Sequence, residues 1–199
     1  MEPHFQSSSS TPDAPVGVAA DLRAADFYNR AVLRDGTRVC VRAIRPDDKE
    51  RLRVAFERLS PRTVRRRFFH SVTALTAERL SYLTELDFQD HVGLVLTVSE
   101  RGGEMLIAVG RFVRVAPGAD RAEVAFMVAD DYQHRGAATL LLTLLVRVAR
   151  ARGVRELVAD LLEENHEMLE VLENSNLPLT RSFVDGVRRV VPRLDPQDH

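Results

Sequence analysis

Ala122-Glu-Val-Ala-Phe-Met-Val-Ala-Asp-Asp-Tyr-Gln-His-Arg-Gly-Ala-Ala-Thr-Leu-Leu-Leu142 decides the fold. From Glu123 to Ala129, small, β-branched and aromatic residues run without a break until Asp130 and Asp131 stop them, as in a buried central strand. Gln133 to Ala138 then leads into the apolar run Thr139 to Arg150, long enough for a helix and closed by Gly153. The polar turn therefore sits at a helix N-terminus. There the unpaired N–H groups point outward and the helix dipole is positive, so an anionic diphosphate is favoured without a metal. Gly136 lets such a ligand approach the backbone closely, and Arg135 offers a charge-assisted contact.

The pattern Gln133-x-x-Gly136-x-Ala138 resembles the acyl-CoA pyrophosphate motif of the GCN5-related N-acetyltransferase (GNAT) family. The preceding strand, the following helix and a later strand ending in Val-Ala-Asp-Leu-Leu-Glu-Glu-Asn165 fall in the family's order, and the likeness extends from about Leu33 to Leu194. Ala137 stands where a larger aliphatic residue is usual and Ala138 where glycine is usual. The opening Leu33-Arg-Asp-Gly-Thr37, with Ile44-Arg-Pro46 after it, resembles the entry of bacterial protein lysine acetyltransferases within that family. The implied fold is a single α/β domain with a mixed, mostly antiparallel central sheet, a splayed parallel strand pair and flanking helices.

Composition narrows the alternatives. A chain of 199 residues normally builds one core. Its formal net charge of −1 gives no general basic footprint, which argues against nucleic acid as a partner. Cys40 is the only cysteine, so neither a disulfide framework nor a cysteine zinc site forms within one chain; a buried, inert thiol is expected. His70, His91, His134 and His166 lack metal-ligand spacing, so no metal is expected. The N-terminus has no secretory pattern, and the longest apolar run, Ala137 to Val146, falls short of the roughly 20 residues a bilayer requires. A cytoplasmic protein without a membrane partner is expected.

Residues 1–18 read as a flexible tail and 19–199 as the domain. Ala19 to Tyr28 suggests a short amphipathic helix, and Asp35-Gly36 a hairpin turn. Three helices are expected next: one from Pro46 with Leu52, Ala55, Phe56 and Leu59 in a stripe, one capped by Ser60-Pro61, and one from Thr76 to Leu86. An antiparallel pair follows, Val92 to Val98 and Met105 to Val115. Beyond the central unit come a strand from Glu156 to Leu161, a helix from His166 to Leu172 and a hairpin at Asp185-Gly186.

The resemblance also assigns chemistry. Acetyl-CoA is the implied co-substrate, inserting its pantetheine arm beside Phe126, Met127 and Val128, while Gln133, His134, Arg135, Gly136, Ala137, Ala138 and Thr139 cradle the pyrophosphate. A bulge near Phe126 or Met127 would free an N–H to polarise the thioester carbonyl. Asn165 suits both helix capping and a hydrogen bond to pantetheine, and Met168 lies one turn on, where core and coenzyme surfaces adjoin. Glu123 occupies the position of the glutamate base that makes an acceptor amine nucleophilic; the bland reading pairs it with Arg111 or Arg114. The tyrosine that many relatives place after the Asn is missing, which leaves Ser175, His166 or solvent as proton donor. Arg62, Arg65 and Arg66 share a helical face, which is either a solvated surface or a receptor for anionic groups. The implied acceptor is a primary amine, foremost a protein lysine. A small-molecule amine acetyltransferase, a non-catalytic acyl-CoA-binding module and a homodimer all remain compatible with the sequence.

Overall fold

The computed structural model describes residues 24–100 and 103–194. The expected tail, and the first half of the helix expected at Ala19 to Tyr28, lie outside the described residues. The described part of that segment is a single 3-10 turn, Ala24–Asp26, and Tyr28 already belongs to a strand. Pairing decides the matter: β1 (Tyr28–Val32) runs antiparallel to β2 (Arg38–Ala43). Such a contact across a turn outweighs the weak helical preference of a short segment. The turn between them is built at Asp35, whose carboxylate accepts the Thr37 N–H at 3.0 Å and hydroxyl at 2.8 Å, while Gly36 takes φ +86°.

Three helices follow: α1 (Lys49–Glu57), α2 (Pro61–Phe68) and α3 (Ala77–Thr84). Ser60 and Thr76 cap α2 and α3 by accepting the N–H groups of Thr63 and Arg79. The strands β3 (His91–Glu100), β4 (Gly103–Arg114) and β5 (Arg121–Val128) form a meander, then α4 (Ala137–Ala151), β6 (Glu156–Leu162) and α5 (His166–Glu173) alternate. The chain closes with β7 (Leu179–Val184) and β8 (Val187–Pro192) as a hairpin. The eight-stranded sheet has the order β1-β2-β3-β4-β5-β6-β8-β7. Its one parallel contact is β5 with β6.

Helices cover both faces. One apolar cluster joins the sheet to α4 and α5 through residues such as Leu141, Leu145 and Leu172; the other joins it to α1, α2 and α3 through Leu52, Phe56 and Met127. Side chains alternate along β5, so Val124 packs toward α4 while Glu123, Ala125 and Met127 face the α1–α3 side. Cys40 is half-buried rather than buried, because β2 lies one strand from the sheet's edge.

The expected bulge at Phe126 or Met127 is not in β5. That strand pairs with β4 in unbroken register from Ala122 to Val128, and the irregularity lies instead between Leu96 and Thr97, where β3 meets β4. What opens the site is divergence. The parallel ladder holds only Arg121, Ala122 and Glu123 against Glu156, Leu157 and Val158, after which β6 pairs with β8 alone.

Candidate active site

Beyond Glu123 the two parallel strands leave a cleft of about 530 Å³. The Ala129 N–H bonds to Ile107 O on β4, and backbone groups alternate along a strand, so those of Phe126 and Val128 face the cleft. An extended chain lying there would meet the edge of β5 as a neighbouring strand does. Divergence thus supplies the free N–H groups that a bulge was expected to supply.

At the cleft's mouth stands the loop before α4. The helix begins two residues earlier than its apolar pattern suggests, at Ala137, with Gly136 as N-cap at φ +90°. Its first helical bond is Leu140 N–H to Gly136 O, so the N–H groups of Ala137, Ala138 and Thr139 precede the ladder. His134 also has a positive φ, +59°, and the loop therefore turns twice to aim amides at one point. A Cβ at Gly136 would come within 3.2 Å of Arg34 Cγ; the glycine keeps the space between that side chain and the helix end open. Such a cradle fits a diphosphate.

Glu123, Phe126, Met127, Val128, Gln133, His134, Gly136, Ala137, Ala138, Thr139, Asn165 and Met168 all line the cleft. Arg135 does not. Its guanidinium meets Asp35 at 2.7 Å and lies 5.0 Å from the Tyr132 ring centroid, so its side chain holds the β1–β2 turn against the loop. The Arg34 N–H bonds to Arg135 O at 2.9 Å and completes that staple. Arg34 itself lines the cleft beside Gly136, a placement sequence reasoning missed because about a hundred residues separate the two.

Gln133 acts as a brace. Its side-chain amide donates to Val128 O at 3.2 Å and Thr63 Oγ1 at 3.1 Å. Asp130, expected only to end a strand, accepts from Ser60 N–H at 2.9 Å, Ser60 Oγ at 2.7 Å and Thr63 Oγ1 at 2.8 Å. Burial would raise this carboxyl, but those donors from Ser60 and Thr63 hold it below its ordinary range. The N-terminus of α2 is thereby tied to the end of β5.

Glu123 is exposed at the fork where the strands part. Neither Arg111 nor Arg114 pairs with it. Arg111 faces His91 and Leu83 O, and Arg114 serves Ala119 O, Arg152 O and Asp90. Arg189 lies near enough for Glu123 to favour its charge, yet its bonds go to Asp160 at 2.7 and 2.8 Å. Asn165 caps α5 by accepting the Met168 N–H at 3.4 Å, which leaves its amide nitrogen to donate. Ser175 donates to Leu172 O at 2.6 Å, and neither it nor His166 lines the cleft, whereas Tyr132, Glu170 and Asn174 do.

The arginine face of α2 is neither free nor simply solvated. Arg62 and Arg66 meet Glu167 at 3.5 and 2.7 Å, Arg65 approaches Glu164 at 3.8 Å, and Arg66 donates to Glu164 O at 2.7 Å. These contacts join α2 to the start of α5 beside the cleft. Among the described residues no cluster of three or more His, Cys, Asp or Glu is placed to hold a metal, and no helix is long and apolar enough to cross a membrane.

A splayed parallel pair, an amide-lined helix N-terminus at its mouth and helices on both faces define an acyltransferase-type domain. Residues 38–177 match the acetyltransferase (GNAT) domain family, and the chain belongs to that family. It is 38% identical over 141 residues to acetyltransferase Pat of Mycolicibacterium smegmatis, covering 71% of this chain and 41% of that protein. It is 33% identical over 125 residues to acetyltransferase PA5475 of Pseudomonas aeruginosa, covering 63% and 67% respectively. The crystal structure of the GNAT domain of S. lividans PAT superposes with a TM-score of 0.77 at 40% identity, covering 84% of this chain and 97% of that one. The chain thus spans well under half the length of the Mycolicibacterium relative it matches.

Proposed function

We propose that this acetyltransferase moves the acetyl group of acetyl-CoA to a protein lysine in a ternary complex, with Glu123 as base. Acetyl-CoA is the co-substrate and supplies the acyl group as a thioester. The observation that carries the reading is the fork: β5 and β6 part just after Glu123, the main chain of Phe126 and Val128 faces the gap, and the loop Gln133 to Thr139 closes its mouth.

Each part has a task. Amides of Ala137, Ala138 and Thr139 receive the paired phosphates, with Arg34 close by; the edge of β5 receives the pantetheine amides as an added strand, and the Asn165 side chain donates to the same arm. An N–H at Phe126 or Val128 stabilises the oxygen on which negative charge develops during attack. A lysine with pKa near 10.4 is neutral in only about one molecule in 2,500 at pH 7, so loss of its proton is the step that needs help. Glu123 takes that proton, directly or through one water.

Relatives named acetyltransferase Pat and PAT share the domain and support acetyl transfer, while the lysine acceptor rests on the likeness of Leu33 to Thr37 and Ile44 to Pro46 to the entry of protein lysine acetyltransferases. The test is mass spectrometry of a lysate treated with the purified chain and acetyl-CoA. Glu123→Gln should slow acetylation by about 100-fold or more while leaving acetyl-CoA affinity within a few-fold. An unchanged rate on the same lysines removes Glu123 as base. Tight coenzyme binding with no acceptor raising thiol release above background would favour a non-catalytic acyl-CoA module.

A further inference from the structure

On the α1–α3 side of β5, behind Ala125 and Met127, three arginines gather without a carboxylate partner among the described residues. Arg111 is only 6% exposed, and its nearest partners are neutral: His91 Nε2 and Leu83 O, both at 3.5 Å, the outer limit of a hydrogen bond. Burial, and next Arg111 itself, pulls His91 down to about 4, so the imidazole is uncharged near neutrality and offers no countercharge. The Arg67 and Arg79 guanidiniums lie 5.0 and 4.7 Å from the same Phe68 ring centroid and have no ion pair among the described residues. Burial first, then mutual repulsion, shifts Arg67 and Arg111 well below the ordinary guanidinium range. Arginine does not give up its proton at neutral pH. The strain therefore persists as affinity for an anion.

The place is connected to the cleft. Arg67, Ala125 and Met127 line both the main cleft and a void of about 20 Å³ that Arg111 borders. That void holds no more than a water, so an anion sits at its mouth, beside Arg67. The geometry points to a carboxylate-binding subsite on the α1–α3 side of the cleft, lined by Arg67 and backed by Arg111, for an anionic group carried by the acyl chain or by the acceptor. It rests on the acetyl-CoA reading of the cleft only for what brings the carboxylate there.

Calorimetry with succinyl-CoA and butyryl-CoA, equal in chain length and differing in a terminal carboxylate, reads the acyl source. Turnover with acetyl-CoA on a lysine peptide bearing an adjacent aspartate, and on its asparagine counterpart, reads the acceptor source. Thermal unfolding with succinate alone reads the subsite without coenzyme. We expect a preference of about tenfold for the carboxylate in one of the first two arms, and a rise in Tm with succinate. Both should vanish in Arg111→Met, or in Arg67→Met if the buried replacement fails to fold. Equal behaviour of each charged and neutral pair with a silent succinate titration overturns the proposal, as does a preference undiminished in both variants. If acetyl-CoA fails to bind while succinate still raises Tm, the coenzyme reading falls and the subsite stands.

Discussion

Two buried arginines on the strands that flank β3 differ in everything but burial. Arg42 on β2 is 2% exposed and meets both oxygens of Asp48 at 2.6 and 2.7 Å, with Glu104 at 2.9 Å. Arg111 on β4, 6% exposed, has a neutral imidazole and a carbonyl at 3.5 Å. Although burial opposes it, the Asp48 and Glu104 bonds move Arg42 above its ordinary range, whereas Arg111 moves below. A buried charge that finds its partners within the chain is part of the architecture. One that finds none is reserved for something that arrives.

The comparison breaks most sharply at Arg42. Arg42→Met leaves Asp48, itself 0% exposed, with only the half-exposed Arg51 at 3.2 Å as countercharge, and should destabilise the fold by about 3 kcal/mol in a denaturant titration. Should Arg111→Met destabilise as much, the two sites are alike and the contrast fails. Acid separates the sites next. His91 has a folded-state pKa of about 4 against 6.5 unfolded, so the unfolded chain binds the proton first. Stability is therefore full above about pH 6.5 and falls toward pH 4, by up to about 3 kcal/mol. Asp48 is held below its ordinary 3.8 by Arg42 despite burial, so its contribution survives above that pH and goes only at lower values. His91→Gln should flatten the upper part of the pH profile and leave the lower part. The smallest effect belongs to the exposed pair Arg135 with Asp35: Arg135→Met removes the ion pair, keeps the Asp35–Thr37 turn bonds, and should leave Tm unchanged within error, since surface ion pairs contribute little.

Much of the fold was legible because its signals are local. Asp35-Gly36 and Asp185-Gly186 mark tight hairpins, Ser60 and Thr76 cap their helices, and the uninterrupted run after Glu123 is the central strand. The loop from Gln133 to Thr139 falls where it was expected, because a strand that stops and an apolar helix that starts leave one place for it. What could not be read was set by partners distant in sequence. The described residues Ala24 to Tyr28 form a turn and the start of a strand because β2 pairs with β1 from Tyr28 onward. Arg135 spends its charge on Asp35, and the arginine face of α2 meets Glu164 and Glu167. Asp130 looked like a strand terminator and proves to anchor α2. The opening of the site arises from the divergence of two strands, a property of the sheet and not of any one residue at Phe126 or Met127.

The staple between the first hairpin and the helix-opening loop has a mechanical outcome. With Arg34 and Asp35 both fastened to Arg135, the outermost ribbon of the sheet becomes a clamp on the loop Gln133 to Thr139. Fraying at that edge is felt directly by the neighbouring helix-opening loop, so in the proposed complex the outer margin of the sheet has a say in how firmly the donor is gripped.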